Sequence, residues 1–314
     1  MSNKIDIILG NKVLFSGIAI FMILLYHQPD GGAIKGIYFY PGFMGVDIFL
    51  FFSGFGLCYS LNKKSIKEFY KRRFVRILPL YIVLGLFAGI LHYQDYSIWD
   101  YFCNISSLSY WGLGGNKFEW YLSSLFILYL AFPLIYWMIS ICWDRTVWGG
   151  VILTCWISIL AIFTFIDLEW WYEAFIGRIP IFLLGVICYK SKAFFNAGLI
   201  VFLLFLIPVL ILYKFGLVHT YALMYCLGPA IIVTIAYSIP FIQSKSNLCN
   251  YISWMGNKSL EIYVSNCIIC LCLRHLVAGL SGWSMTTAYW LLHLPVVLSI
   301  CWVNATISKF LNKT

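Results

Sequence analysis

Long, unbroken runs of apolar residues dominate this chain of 314 residues. Hydrophobic residues make up 62% of it and charged residues only 11%, whereas ordinary globular chains have roughly 45–50% and 25%. A soluble fold of this length needs far more polar surface. Because the apolar runs are continuous rather than alternating, they indicate helices that cross a membrane. The sequence therefore predicts an all-α, polytopic integral membrane protein.

Ten segments have about the 20 apolar residues that a helix needs to cross a bilayer. They are predicted at 13–27, 43–61, 74–92, 120–142, 147–166, 174–189, 194–213, 221–242, 259–279 and 286–308. An even number of spans places both termini on one side, and the positive-inside rule makes that side the cytoplasm, since most Lys and Arg residues then lie inside. We expect one transmembrane domain over 1–314, with longer loops at 62–73 inside and 93–119 outside.

The remaining totals exclude other classes of protein. A net charge of +9 does not indicate nucleic-acid binding, because the basic residues lie in one short block and at helix ends. Most of the 11 cysteines fall in apolar runs, as small residues that face lipid or other helices. The histidines have no metal-ligand spacing, so no metal is predicted.

Ionisable groups inside the spans are functional candidates, because burying them in hydrocarbon costs at least a few kcal/mol. His27 ends the first span, and Asp47 lies near the outer end of the second. A carboxylate beside an imidazole fixes its tautomer and raises its basicity, as a general base requires. The alternatives are an interfacial anchor for His27 and an ordinary helix N-terminal residue for Asp47.

The basic block YKRRFVRILPLY contains a second candidate, Arg73 and Arg76. Three residues apart at the start of a helix, they share one face, and their guanidinium groups can grip phosphate oxygens. The free N–H groups of the helix N-terminus would add to the same anion site. The alternative is a positive-inside signal that contacts only lipid headgroups.

Several motifs together resemble the membrane acyltransferase-3 family. The first helix contains GIAI followed by LLYH, the second reads GFMGVDIFLFFSGFGL, and the basic block follows. Later stretches fit as well: EWYLS at 119–123, GRIPIFLLG at 177–185 and MGNKSLEIY at 255–263. Each motif is degenerate, but their order and spacing extend over residues 12–308.

The resemblance implies a ten-helix enzyme of the bacterial inner membrane that moves an acyl group, usually acetyl, from cytoplasmic acyl-coenzyme A to a glycan hydroxyl. His27 matches the catalytic histidine of the family, and Arg73 and Arg76 match the pair that contacts coenzyme A. Acetyl-coenzyme A would be a co-substrate, and the partners would be the glycan acceptor and membrane lipid. Further matches are Gly45, Asp47, Ser53 and Gly54 in the second-helix signature and Trp120 at the opening of the fourth helix.

The chain departs from the family at one position. An arginine commonly stands eleven residues before the histidine, where this chain has Ser16. Lys12, one helical turn earlier, is a candidate substitute. Eleven residues of helix span about 16 Å, which a pantetheine arm can follow from the phosphates at Arg73 and Arg76 to His27.

Other residues are candidates for the oxyanion or the acceptor. Arg178 either faces the cavity, as the family motif implies, or snorkels to the interface. The oxyanion and substrate candidates are Ser53, Tyr26, Trp120, Tyr121 and Arg178.

Two alternative functions stay open for the protein. One is a membrane transporter or flippase, and the other is a catalytically silent subunit of a glycan-export system.

Overall fold

A computed structural model of the chain describes residues 4–29, 33–34, 37–38, 40–91, 97–114, 119–166, 168–191, 207, 210–211, 213–216, 224–276 and 282–311. Nearly all of the regular structure is helical. In chain order the helices are α1 (Lys4–Gly10), α2 (Lys12–His27), α3 (Gly45–Lys63), α4 (Ile66–Leu91), α5 (Ile98–Ile105), α6 (Tyr121–Ile141), α7 (Arg145–Phe165), α8 (Trp170–Ile176), α9 (Ile179–Lys190), α10 (Gly228–Ser244), α11 (Ser246–Asn257), α12 (Ser259–Leu276) and α13 (Gly282–Leu311).

Short elements connect some of these helices. Two-residue strands, β1 (Ala33–Ile34) and β2 (Ile37–Tyr38), pair in antiparallel register after α2. One 3-10 helix, Tyr40–Met44, leads into α3, and another, Leu108–Trp111, follows α5. The described part of the predicted outer loop 93–119 is therefore largely helical.

Six helical segments of the described residues are long and apolar enough to cross a membrane. They are Pro41–Lys63, Ile66–Leu91, Tyr121–Ile141, Thr146–Phe163, Trp170–Lys190 and Ser284–Lys309. Shorter apolar helices lie at Lys12–His27, Gly228–Ser244 and Ser259–Leu273. The prediction of an all-α membrane protein is thereby confirmed. The predicted span 194–213 falls mostly outside the described residues, and the count of ten spans and the cytoplasmic termini stay predictions.

The predicted inner loop at 62–73 is wrong. Helix α3 continues to Lys63 and α4 already begins at Ile66, so only a short break separates them. Charged residues do not end a helix, since Lys, Arg and Glu are good helix formers. Within the block, Arg72 forms an ion pair with Glu68 one turn earlier, 2.9 Å between Nη2 and Oε1, which supports the helix.

The chain divides into two compact units. The first comprises Met1–Ile23, Pro41–Ser65 and Ala131–Asn257, and the second comprises Leu24–Tyr40, Ile66–Leu130 and Lys258–Thr314. The prediction of a single transmembrane domain stays a prediction.

Glycines bring two helices of the first unit together. A Cβ on Gly54 of α3 would overlap the carbonyl oxygen of Phe182 in α9, and a Cβ on Gly185 of α9 would overlap that of Phe51 in α3. Small residues at such positions let helix backbones approach closely, which strengthens van der Waals packing where lipid provides no hydrophobic driving force. Gly54 and Gly185 therefore allow the close α3–α9 contact.

Aromatic hydroxyl groups connect the helices of the second unit. Tyr81 of α4 and Ser123 of α6 lie 3.1 Å apart through their hydroxyl oxygens. Tyr289 of α13 is fully buried and packs with Ile269 and Leu273 of α12. These tyrosines combine a large apolar ring with a hydrogen-bonding group, and so fix both the distance between helices and their rotation.

Candidate functional site

The predicted site residues lie in both units. Four of them belong to the first unit: Lys12, Asp47, Ser53 and Arg178. Six belong to the second: Tyr26, His27, Arg73, Arg76, Trp120 and Tyr121.

Asp47 and Arg178 form a buried ion pair in the first unit. Asp47 is the third residue of α3, and Arg178 immediately precedes α9, whose second residue is Pro180. The distance from Arg178 Nε to Asp47 Oδ1 is 3.1 Å, and both side chains have 0% relative exposure. The interpretation of Arg178 as an interfacial, snorkelling arginine is therefore wrong.

All three guanidinium nitrogens of Arg178 are engaged. Nη1 donates to the carbonyl oxygen of Ala174 at 2.9 Å, and Nη2 donates to that of Phe43 at 3.0 Å. The ring of Phe43 lies 3.9 Å from the guanidinium carbon and that of Tyr225 lies 5.0 Å from it. Arginine is suited to this role, because its planar group forms hydrogen bonds in several directions and stacks on rings. The pair thus fixes the start of α3 against the α8–α9 junction.

The other candidates of the first unit are more accessible. Lys12 is exposed, and its ammonium nitrogen lies 3.6 Å from where a Cβ on Gly56 of α3 would be. Ser16, the departure from the family pattern, is buried at 8% exposure, whereas Ser53 is half-buried. The substitution of Lys12 for the family arginine stays a prediction.

His27 is the last residue of α2, and its side chain is exposed. Its ring meets the ring of Tyr26 edge-on at 5.1 Å between centroids. Within the second unit, Tyr289 donates to the carbonyl oxygen of Leu24 at 2.9 Å, and the same oxygen accepts the backbone N–H of Gln28 at 3.1 Å. The last turn of α2, which carries His27, is therefore hydrogen-bonded to α13.

Residues of α12 complete this contact. The side-chain amide of Asn266 lies 2.7 Å from the Tyr289 hydroxyl. The Sγ of Cys270 lies 4.0 Å from the carbonyl oxygen of His27. Sequence reasoning did not find these supporting residues, because nothing in a single sequence shows which helix packs on the end of α2. That Asp47 orients the imidazole of His27 stays a prediction.

Arg73 and Arg76 lie on one face of α4, as predicted from their spacing. The guanidinium carbon of Arg73 is 5.8 Å from the ring centroid of Phe69 and 6.0 Å from that of Tyr129, and the side chain is half-buried. Arg76 is exposed. The expected contribution of helix N-terminal N–H groups is wrong: α4 begins at Ile66, so both arginines lie about two turns or more inside it.

The EWYLS motif forms a buried polar cluster at the start of α6. The Glu119 carboxylate accepts the backbone N–H groups of Tyr121, Leu122 and Ser123 at 2.9, 2.7 and 3.3 Å. Tyr263 of α12 donates its hydroxyl to the same carboxylate at 2.5 Å. Glu119 thereby satisfies donors that a helix start otherwise leaves without partners.

Glu119 lies just before the membrane-length segment Tyr121–Ile141. Burial raises the pKa of its carboxyl from an ordinary 4.5 to about 7, although the hydrogen bonds from Tyr263 and from the backbone act in the opposite direction. Two of the predicted site residues directly follow Glu119. Trp120 is half-buried, and the ring centroid of Tyr121 lies 5.2 Å from that of Tyr263. The sequence analysis did not predict the role of Glu119 at the start of α6, although an acidic residue before an apolar run is a recognisable helix-start signal.

Within the described residues, no three His, Cys, Asp or Glu side chains come together as metal ligands do. Polar groups instead occur as a few pairs and small clusters inside helical packing. With its membrane-length apolar helices, the molecule falls in the class of polytopic helical membrane proteins.

The chain belongs to the acyltransferase-3 family, whose acyltransferase domain matches residues 15–305. It is also similar to the acyltransferase MdmB of Streptomyces mycarofaciens, with 32% identity over 122 residues. That match covers 34% of this chain and 32% of MdmB, so the chain spans about a third of the length of this relative. No solved structure matches the chain.

Proposed function

We propose that this protein is a membrane acyltransferase that moves an acetyl group from cytoplasmic acetyl-coenzyme A to a hydroxyl of an envelope glycan. The observation that supports this most strongly is the family match over residues 15–305, which includes His27, Arg73 and Arg76. The proposal places the enzyme in the bacterial inner membrane. The glycan acceptor and membrane lipid are its partners.

The donor site is proposed at Arg73 and Arg76 on α4. The guanidinium of Arg73 lies near two aromatic rings, and Arg76 is exposed about one turn further along α4. Guanidinium groups form charge-assisted hydrogen bonds with phosphate oxygens and keep their charge at any physiological pH. The pair is suited to the phosphates of coenzyme A, while the pantetheine arm carries the thioester to His27.

The transfer itself requires one base and one leaving group. A ring nitrogen of neutral His27 takes the proton from the acceptor hydroxyl as its oxygen attacks the thioester carbonyl carbon. The carbon–sulfur bond then breaks, and the thiolate of coenzyme A leaves and takes up that proton. The exposed ring at the end of α2 suits this role, because substrate must reach it.

The remaining site candidates are proposed to support this chemistry. Asp47 would orient His27 as the third member of a triad does, and Lys12 would assist the donor. For the developing oxyanion, Ser53, Tyr26, Trp120 and Tyr121 remain the proposed donors. Arg178 is already bound to Asp47 and to two backbone carbonyl groups, so its proposed part is to hold Asp47 in place.

The test uses purified protein, radiolabelled acetyl-coenzyme A and the envelope glycans of the cells after mild alkali has removed their esters. Wild-type protein should transfer label to the glycan. His27→Ala should lower the rate by roughly 10²–10⁴-fold, the usual contribution of a positioned general base, while acetyl-coenzyme A still binds.

Arg73→Ala combined with Arg76→Ala should weaken binding of acetyl-coenzyme A by tenfold or more, since each loses hydrogen bonds of roughly 1.5–3 kcal/mol to a charged group. Arg72→Ala is the matched control, because its guanidinium is paired with Glu68 on an exposed part of the same helix. Normal label transfer by His27→Ala, or equal binding by the double variant and the control, would contradict the proposal.

A further inference from the structure

Gln28 follows His27 directly and is buried, with 2% of its surface exposed. The indole nitrogen of Trp290 in α13 donates to Gln28 Oε1 at 3.3 Å. Because an indole N–H only donates, the amide oxygen must face the indole, and the NH₂ group must face away from it. Among the described residues this Nε2 has no hydrogen-bond partner.

His293 lies three residues after Trp290 on α13 and is also buried, with 7% exposure. Its Nδ1 lies 2.8 Å from the carbonyl oxygen of Tyr289. A carbonyl oxygen only accepts, so the proton of the neutral ring is on Nδ1 and Nε2 carries a lone pair. This Nε2 likewise has no partner within the described part of the chain.

One aromatic ring connects the two groups. The centroids of the Trp290 and His293 rings are 5.8 Å apart, and Gln28 contacts the indole nitrogen. The half-buried indole therefore has a hydrogen-bond donor beside it in Gln28 and an acceptor beside it in His293. A buried polar group without a partner costs roughly 1–3 kcal/mol, so two of them beside one ring indicate a ligand that satisfies both.

The chemistry of that ligand follows from the two groups. It must accept a hydrogen bond from an amide N–H and donate one to an imidazole nitrogen. A carbohydrate ring carries hydroxyl groups that do both, and its apolar face stacks on aromatic side chains. None of the three side chains is an anion, and the lone pair of His293 disfavours an anionic ligand at that position.

We propose that Gln28, Trp290 and His293 bind the sugar ring of the acceptor, with Gln28 donating to one hydroxyl oxygen and His293 accepting a hydroxyl proton. This inference rests on the proposed acetyl transfer and adds to it the place where the acceptor binds. The subsite lies at the same end of α2 as the reacting group, because Gln28 is the residue after His27 and the last turn of α2 is bound to the same helix, α13, through Tyr289.

The test separates the acceptor from the donor with purified full-length protein. The concentration of de-esterified envelope glycan that gives half-maximal label transfer is measured, and so is binding of acetyl-coenzyme A. Gln28→Glu keeps an oxygen for Trp290 but loses the NH₂ group. His293→Asn keeps an N–H for the Tyr289 carbonyl but loses the acceptor at Nε2.

Each variant should raise the half-maximal glycan concentration by about tenfold, the loss expected for one hydrogen bond with a buried partner. Binding of acetyl-coenzyme A should stay within twofold of wild type, which also shows that the variant is folded. His293→Gln, whose longer amide places an oxygen near the position of Nε2, should recover part of the loss. Leu294→Ala, at a side chain that is 62% exposed on the same helix, is the control and should match wild type.

Two results would overturn the subsite while leaving the proposed function intact. One is wild-type glycan dependence in both variants. The other is weakened binding of acetyl-coenzyme A, which would assign Gln28 and His293 to the amides of the pantetheine arm. Failure of the wild-type protein itself to label the glycan would instead refute the proposed function, and this subsite with it.

Discussion

The two units hold a buried carboxylate in opposite ways. In the first, Asp47 is compensated by the positive charge of Arg178 at 3.1 Å. In the second, Glu119 receives neutral donors, three backbone N–H groups and the Tyr263 hydroxyl. Charge compensation makes each partner of a pair depend on the other. Where the donors are neutral, the pKa of the carboxyl depends on the balance between burial, which raises it, and the hydrogen bonds, which lower it.

The contacts between helices also differ between the two units. The α3–α9 contact of the first unit depends on glycines that bring backbones together, and so added volume there costs stability. The second unit uses tyrosine hydroxyls between helices, as at Tyr81 and Tyr289. A change in the first unit should therefore act through packing and charge, and one in the second through hydrogen bonds and pH.

The largest expected effect is loss of the buried cation. Arg178→Met should destabilise the protein by about 3–5 kcal/mol, the usual cost of leaving one charge of a buried pair uncompensated. The double variant with Asp47→Asn should recover most of that loss, because no charge is then left. Reversible unfolding of purified protein in detergent measures both. A double variant as unstable as the single one would show that packing of Arg178, not its charge, stabilises this region.

A smaller effect is expected from the pH response of Glu119. Because its folded pKa of about 7 exceeds the ordinary 4.5, its contribution to stability is fully present below about pH 4.5 and is lost as pH rises through 7. The loss amounts to roughly 3 kcal/mol at 1.36 kcal/mol per pKa unit. Glu119→Gln cannot titrate, so wild type should lose stability relative to this variant across that range.

Unfolding measured at several pH values between 4.5 and 8 gives the difference between the two proteins. A difference that stays constant with pH would show that the donors from Tyr263 and the backbone hold the carboxylate ionised. In that case the pH dependence expected of the second unit would be absent.

The smallest effect concerns the glycine contact. Gly185→Ala should cost about 1–3 kcal/mol, typical of overpacking, because its Cβ would meet the Phe51 carbonyl oxygen. Gly150→Ala on α7 is the matched control, since a Cβ there meets nothing within 4 Å. That control should be neutral or stabilising by up to about 1 kcal/mol, through helix propensity. Equal effects of the two changes would mean that α3 and α9 are not in close contact.

The sequence predicts the features that depend on local patterns. Apolar length indicated the membrane helices, and the position of Asp47 in the first turn of α3 followed from the start of its apolar run. The sequence places the basic block in a loop because charged residues interrupt the apolar run, although Glu68 and Arg72 pair along a continuous helix. Local sequence patterns thus predict that the helices exist but do not predict all of their boundaries.

Contacts between helices distant in sequence were beyond such reasoning. Nothing in a single sequence specifies that Arg178 faces Asp47 or that Tyr263 faces Glu119, because rotation and register between helices are set by tertiary packing. Gln28 and His293 cannot be recognised as a shared site from the sequence for the same reason. Each is unremarkable alone, and only their shared neighbour Trp290 makes them a candidate site.

The carbonyl oxygen of Leu24 accepts two hydrogen bonds, one from the Gln28 backbone and one from Tyr289. The end of α2 cannot fray without breaking both, so the entropy of ordering the backbone at His27 is already lost when the chain folds. Substrates then meet a reactive group whose position along the helix is preset, and less of their binding free energy goes into arranging it.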